Sequence, residues 1–237
     1  MKNFIKKKLK SILYFIELNF RVKILNKSPA DLHLEEISTE SYNFFKDMMK
    51  QSSVFTKDEQ IRKYSIFKAI SNNSKKKQLF LEFGVYKAES INFFANFLSK
   101  YDLEIYGFDS FQGLEENWIT DEFHAIGTFA LTKNPKVSKN VKIIKGKVQD
   151  TLDNFLKKNK NSKIIFTHMD MDTYTPTKYV LNKIKPLLTK GSIILFDEFY
   201  GFPNWKSNEY KAFTEVFDEN EYKYFAFGNR QVAIEIL

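Results

Sequence analysis

Apolar and polar positions follow two different rhythms along this chain. Over residues 1–75 the apolar positions recur at helical spacing and never alternate as in a strand. Ile5, Leu9, Ile12, Leu13, Ile16 and Phe20 form one stripe, and Phe44, Phe45, Met48 and Met49 form a second group, in which Met48 and Met49 are read as core filler rather than a ligand site. Thr56-Lys57-Asp58-Glu59 has the capping-box pattern and opens a third helix through Ile61, Phe67 and Ile70, which Asn72-Asn73-Ser74 breaks. From Gln78 the rhythm becomes strand, helix, strand. Strands are expected over 78–83, 103–107, 141–144, 163–169 and 191–196, and helices over 88–100, 175–188 and 206–217. Pro176 falls in the first turn of the 175–188 helix, where its missing N–H costs nothing. Two closing strands, 222–227 and 231–236, are joined through Gly228-Asn229-Arg230 as a hairpin.

Five strands alternating with helices predict an α/β fold, a Rossmann-like, doubly wound, mostly parallel sheet. The hairpin brings the count to seven strands and adds an antiparallel edge. The change of rhythm divides the chain into a helical N-terminal extension or cap, 1–75, and a sheet domain, 76–237. In such folds ligands bind at the carboxyl ends of the strands, near the switch point.

Composition narrows the function classes. A chain of 237 residues, 43% of them apolar, can bury a full core. The absence of cysteine excludes disulfides, thiolate metal sites and cysteine nucleophiles. With only His33, His124 and His168, a histidine metal cage is not expected. The net charge of +8 comes almost entirely from lysine, because Arg21, Arg62 and Arg230 are the only arginines. Lysine is a solvated point charge rather than a bidentate reader of phosphate or guanine, so runs such as Lys6–Lys8 and Lys75–Lys77 read as solvated surface and no nucleic-acid partner is expected. Near the N-terminus the uninterrupted apolar run, Ile12 to Ile16, is five residues long and ends at Glu17, too short for a signal peptide or a spanning helix. A cytoplasmic protein is expected. Its first apolar stripe is expected to dock on its own domain or on a second subunit, with peripheral membrane contact as the lesser alternative.

Candidate chemistry gathers at the strand ends. The first strand runs into Leu81-Glu82-Phe83-Gly84-Val85-Tyr86-Lys87-Ala88-Glu89-Ser90. Tyr86 stands where a dinucleotide fingerprint needs its second glycine, which disfavours NAD or FAD. Gly84 still allows the backbone to turn against a ligand, and Glu82 suits a cationic group; a plain strand-to-helix turn is the alternative. Asp109-Ser110 after the second strand is placed for ribose hydroxyls, and Gln149 after the third is available to an adenine edge, unless it belongs to a polar loop. The fourth strand ends in Asp170 and Asp172, the fifth in Asp197 and Glu198. Acids at the ends of adjacent parallel strands repel one another unless a hard cation joins them, and oxygen ligands favour Mg²⁺, with Mn²⁺ or Ca²⁺ possible. The alternative makes them separate caps of the next helices. Residues 111–131 are read as a lid or acceptor wall, in which Trp118 and Phe123 stack on a ligand and His124 hydrogen-bonds or moves a proton. Residues 199–205, FYGFPNW, are the other candidate wall.

LEFGVYKAES, YGFDSFQGLEENW, GKVQDTL and MDMDTYTPTKYVLNKIKPLLTKGSIILFDEFYGFP together resemble class I S-adenosylmethionine-dependent methyltransferases. Within that class they are similar to the metal-dependent macrocin-type sugar O-methyltransferases, over residues 78–205. The first and third of these motifs are also similar to catechol O-methyltransferase. The resemblance implies that Glu82, Phe83, Gly84, Tyr86, Ser90, Asp109, Ser110, Gln149 and Asp170 surround S-adenosylmethionine. It implies that Asp170, Asp197 and Glu198 hold Mg²⁺ or Mn²⁺, and that Asp172 is the general base, with Asp170 also in the catalytic group; His124 joins that group only on its place in the lid segment, where a satisfied loop histidine is the alternative. Thr173 stands where the catechol enzymes carry a lysine, Glu198 where the sugar enzymes usually have aspartate, and Ala88 where glycine is frequent. The implied reaction is methyl transfer to the hydroxyl of a nucleotide-linked or other small-molecule sugar, in a homo-oligomer. Two alternatives are a phenolic or other small-molecule acceptor, and a catalytically silent cofactor-binding protein with a membrane-peripheral basic helix.

Overall fold

A computed structural model describes residues 2–20, 27–72 and 78–237. The Lys75–Lys77 run, the Asn73-Ser74 break and the side chains of Ile5 and Phe20 lie outside the described residues. The chain opens with α1 (Lys2–Phe20), α2 (Pro29–Met49), a two-residue strand β1 (Ser53–Val54) and α3 (Asp58–Ser71). Next come β2 (Gln78–Phe83), α4 (Glu89–Leu98), β3 (Ile105–Asp109) and a small hairpin of β4 (Trp118–Ile119) and β5 (Phe123–His124). Then follow β6 (Val141–Lys145), α5 (Val148–Lys158), β7 (Lys163–Met169), α6 (Tyr174–Ile184) and β8 (Leu188–Phe196). The chain closes with α7 (Glu209–Thr214), β9 (Tyr222–Phe227) and β10 (Val232–Ile236).

The main sheet has the order β1-β9-β10-β8-β7-β2-β3-β6. β6, β3, β2, β7 and β8 pair in parallel, and β10 runs antiparallel to both β8 and β9. From β2 the chain winds outward through β3 to β6, then returns to β7 on the other side of β2. The switch point therefore lies between β2 and β7, at the end where Gly84 and Asp170 emerge. Side chains alternate along each strand and feed two cores. On β8, Ile193 and Leu195 join the Ile61, Ile66, Phe94 and Leu98 side chains of α3 and α4, whereas Ile194 and Phe196 join Phe45, Leu152, Leu181 and Phe213 of α2, α5, α6 and α7.

Four expectations need correction. The main sheet has eight strands rather than seven, because Ser53–Val54 of the helical region pairs in parallel with Ala226–Phe227; two residues are too few to reveal alternation in sequence. Thr56 does not cap α3. Lys57 is the N-cap and makes no side-chain bond, since the helix begins a residue later than the motif requires. The segment after Gly146 is not a polar loop but opens α5, whose Val148, Leu152, Phe155 and Leu156 are buried at helical spacing. The 206–217 helix shrinks to α7 behind a 3₁₀ turn at Trp205–Ser207. Among the described residues α1 contributes none to either core, so its stripe is not seen to dock on this domain.

Candidate functional site

Hydrogen bonding continues one residue beyond the parallel strands and lines up their exits. Gly84 N–H donates to Phe108 O (3.0 Å), Asp170 N–H to Phe83 O (2.8 Å) and Asp197 N–H to Met169 O (2.9 Å). Gly84 has φ +87°, and a Cβ there would lie 1.7 Å from the Asp170 carbonyl oxygen, so no other residue fits where these two strands separate. Above this edge is a cavity of about 290 Å³ whose wall includes Gly84, Tyr86, Asp109, Ser110, Asp170, Asp172 and Glu198. Tyr86, Asp172 and Phe129 on that wall all have positive φ (43°, 63° and 70°), as does Ala88 (66°) just behind it. Such left-handed residues cost energy and persist where surrounding structure forces them.

On the β2–β3 side, Asp109 is held by the backbone. Its Oδ2 accepts the N–H groups of Val85 and Tyr86, each at 2.8 Å, and its Oδ1 accepts that of Phe111 at 2.6 Å. These bonds fold the turn after β2 against β3 and fix Asp109 on the cavity wall. Gln149, at the start of α5, donates through Nε2 to cavity-lining Glu115 (3.1 Å), while its Oε1 is buried without a partner. Glu82, Phe83 and Ser90 lie beneath the floor rather than on it. Phe83 stacks on Phe108 with ring centroids 4.8 Å apart. Glu82 is fully buried, accepting from Ser90 Oγ (3.1 Å) and facing His168 Nδ1 (3.0 Å).

His168 extends this buried chain across the β2–β7 boundary, with Nε2 3.1 Å from Asp197 Oδ1. Burial favours the neutral ring, but Asp197 and Glu82 outweigh it and raise the histidine pKa. The same Asp197 oxygen accepts from Arg62 of α3 at 2.9 Å and from Gln231 Nε2. Burial opposes ionisation of Asp197, yet His168 and Arg62 hold it well below the usual carboxylate range. Its neighbours behave oppositely. Burial and the charges of Asp197, Asp172 and Glu82 push Asp170 well above its ordinary value. Burial and Asp197 bring Asp172 up to about 7. Glu198 rises to about 8 through burial, with Asp197 and Asp172 adding and Arg230 opposing. One donor atom each from His168, Asp170 and Asp197 lies within 4.8 Å of the others, a spacing that a metal ion can bridge. Glu198 is on the same wall, 3.5 Å from Arg230, but outside that group.

The lid segment divides in two. Trp118 and Phe129 line the cavity, and His124 stacks on Trp118 (5.0 Å) without lining it; Phe123 is 64% exposed and points elsewhere. Arg230, between β9 and β10, ties the turn of this hairpin to the wall by pairing with Asp121 (2.8 Å) as well as Glu198. The other proposed wall, 199–205, is packing: Phe199, Phe202 and Trp205 are buried, and the segment does not line this cavity. Sequence reasoning gave no role to Arg62, His168, Gln231 or Glu209. Glu209, at the start of α7, is fully buried, accepts the Glu198 N–H (3.2 Å) through Oε2 and leaves Oε1 without a partner. A histidine in the mostly apolar strand KIIFTHM was the one available signal; the other three come from distant segments.

Residues 81–199 match a protein family described as a methyltransferase domain. No curated protein matches the sequence. Among solved structures, the chain is similar to the crystal structure of CalS11, a calicheamicin methyltransferase (TM-score 0.60, 21% identity, 89% of this chain and 94% of that one). An apo structure of CalS11, described as a TDP-rhamnose 3'-O-methyltransferase, gives TM-score 0.56 at 21% identity, covering 90% and 96%. The O-methyltransferase NovP gives 0.56 at 15% identity, covering 87% and 99%. At these identities the likeness is one of fold.

Proposed function

The chain belongs to the methyltransferase-domain family, and from that premise we propose that it moves a methyl group from S-adenosylmethionine to a sugar hydroxyl with the help of a divalent cation. The observation that carries this reading is the convergence of Asp170, Asp172, Asp197 and Glu198 from two neighbouring strand ends beside the cavity. Asp170 and Glu198, crowded and buried with raised pKa values, and the anionic Asp197 beside them are oxygen donors that a hard cation would relieve, so Mg²⁺ or Mn²⁺ fits, held by Asp170, Asp197 and Glu198. Gln149, next to cavity-lining Val148 and with a buried Oε1 that has no donor among the described residues, would meet the adenine edge. Residues 76–237 act as the methyltransferase domain and 1–75 as its helical extension, from which Arg62 reaches the site.

When bound, S-adenosylmethionine supplies a methyl group on a sulfonium with a good leaving group, and the cation lowers the pKa of the acceptor hydroxyl. Asp109 and Ser110 would hold the ribose hydroxyls, and Gly84 and Tyr86 the methionine end. Asp172, on the cavity wall with a pKa of about 7, would take the hydroxyl proton. Glu82 and Ser90 act from beneath, through His168, by fixing Asp197. Trp118 and Phe129 would form an apolar wall that excludes water and presents an aromatic face to the sugar. Alignment of this kind is worth roughly 7–11 kcal/mol when the reacting atoms are held near attack geometry.

A sugar acceptor is supported by the similarity in fold to CalS11. The lysine-rich surface suits an anionic acceptor such as a nucleotide-linked sugar. A labelled-methyl assay over nucleotide-linked sugars, free sugars and catechols tests the reading. Label in a sugar is expected. Label only in catechols would replace the acceptor class, and S-adenosylhomocysteine binding without transfer to any acceptor would favour the silent reading.

A further inference from the structure

We propose that α1 docks the protein on an anionic lipid bilayer, lying in the plane of the membrane surface. Leu9, Ile12, Leu13 and Ile16 fall at helical spacing on one stripe of α1. Leu9 is 56% exposed and Ile12 49%, Leu13 and Ile16 are half-buried, and no described side chain of this helix, 6–16, is fully buried. The next two helices behave differently: α2 buries Phe45, and α3 buries Ile61 and Ile66. Among the described residues, α1 is the helix whose apolar stripe is left without a core to join.

The charges on α1 select the occupant. Lys6 and Lys10 border one side of the stripe and Lys8 the other, and the whole helix carries five lysines against one glutamate. Pairing with a second copy through this face would set two such lysine borders against each other. An anionic headgroup layer instead neutralises both borders while the acyl boundary accepts the apolar stripe. No described helix is long and apolar enough to cross a membrane, so α1 would rest on the bilayer rather than span it.

Flotation of the full-length chain with phosphatidylcholine vesicles containing phosphatidylglycerol, and with pure phosphatidylcholine vesicles, tests this. Binding to the anionic vesicles is expected to exceed binding to the neutral ones by at least about tenfold and to weaken as salt is raised. The double variants Leu9→Ser/Ile12→Ser and Lys6→Glu/Lys10→Glu should both stay at the bottom of the gradient, with thermal unfolding unchanged because these side chains lie outside the core. Equal binding to both vesicle types would overturn the proposal, as would no flotation at low salt. So would a concentration-dependent dimer, dispersed by Leu9→Ser/Ile12→Ser, in a chain that does not bind vesicles.

Discussion

Asp172 and Asp197 are carboxylates of one cluster, yet their surroundings drive them in opposite directions. Asp197 is fixed as an anion by His168 and Arg62, whereas Asp172, with no cation beside it among the described residues, is pushed up to about 7 by burial and Asp197. That division suits one to a fixed ligand and the other to proton transfer. Asp172→Asn should therefore lower kcat by roughly 10²–10⁴ while leaving S-adenosylhomocysteine affinity unchanged, as read by calorimetry beside steady-state kinetics. An equal loss of cofactor affinity would show that Asp172 serves binding instead. His168 carries a different load, because it separates the buried Glu82 from Asp197. Removing one partner of such a buried network costs about 3–5 kcal/mol, so His168→Ala should lower unfolding stability by that much in a denaturant titration. The acids themselves were legible in the sequence because they sit directly after apolar strands. Arg62 was not, since its partner is 135 positions away and only the packing of α3 on the sheet brings them together.

Helix α2 buries one apolar side chain, Phe45, beside Ser41. Phe45 is fully buried and meets Phe199, Tyr200, Trp205, Tyr210, Tyr224 and Phe227. It thereby joins the helical extension to the segment that leaves β8 just after Glu198. Phe45→Ala should cost about 3–5 kcal/mol, measurable as a lowered denaturation midpoint. A loss below about 1 kcal/mol would mean that the cluster closes around the cavity without α2. The two strands that meet at the switch point, β2 and β7, have the boundaries that hydrophobic runs alone predict. Runs that end abruptly at Gly84 or Asp170 carry their own punctuation. Helix α5 carried an equally clear apolar period, and only its short polar approach through Lys145-Gly146-Lys147 disguised it. β1 left no trace, because its pairing with β9 is a property of the folded sheet.

At the scale of the whole molecule, the fold collects its acids at one end of a sheet in a protein that is otherwise basic. The charge of +8 is spread over lysines, while Asp170, Asp172, Asp197 and Glu198 meet at the exits of two strands beside the cavity. The doubly wound order made this concentration legible from the sequence, because it dictates which strand ends are neighbours. The supporting chain from Ser90 through Glu82 and His168 to Asp197 was not legible, since it depends on which way each side chain turns within the core. Turnover in chelator bears most directly on the whole account. Protein treated with EDTA should transfer no methyl group to the acceptor, regain full activity on addition of Mg²⁺, and bind S-adenosylhomocysteine equally well in both states. Undiminished turnover in EDTA would contradict the role given to the four acids.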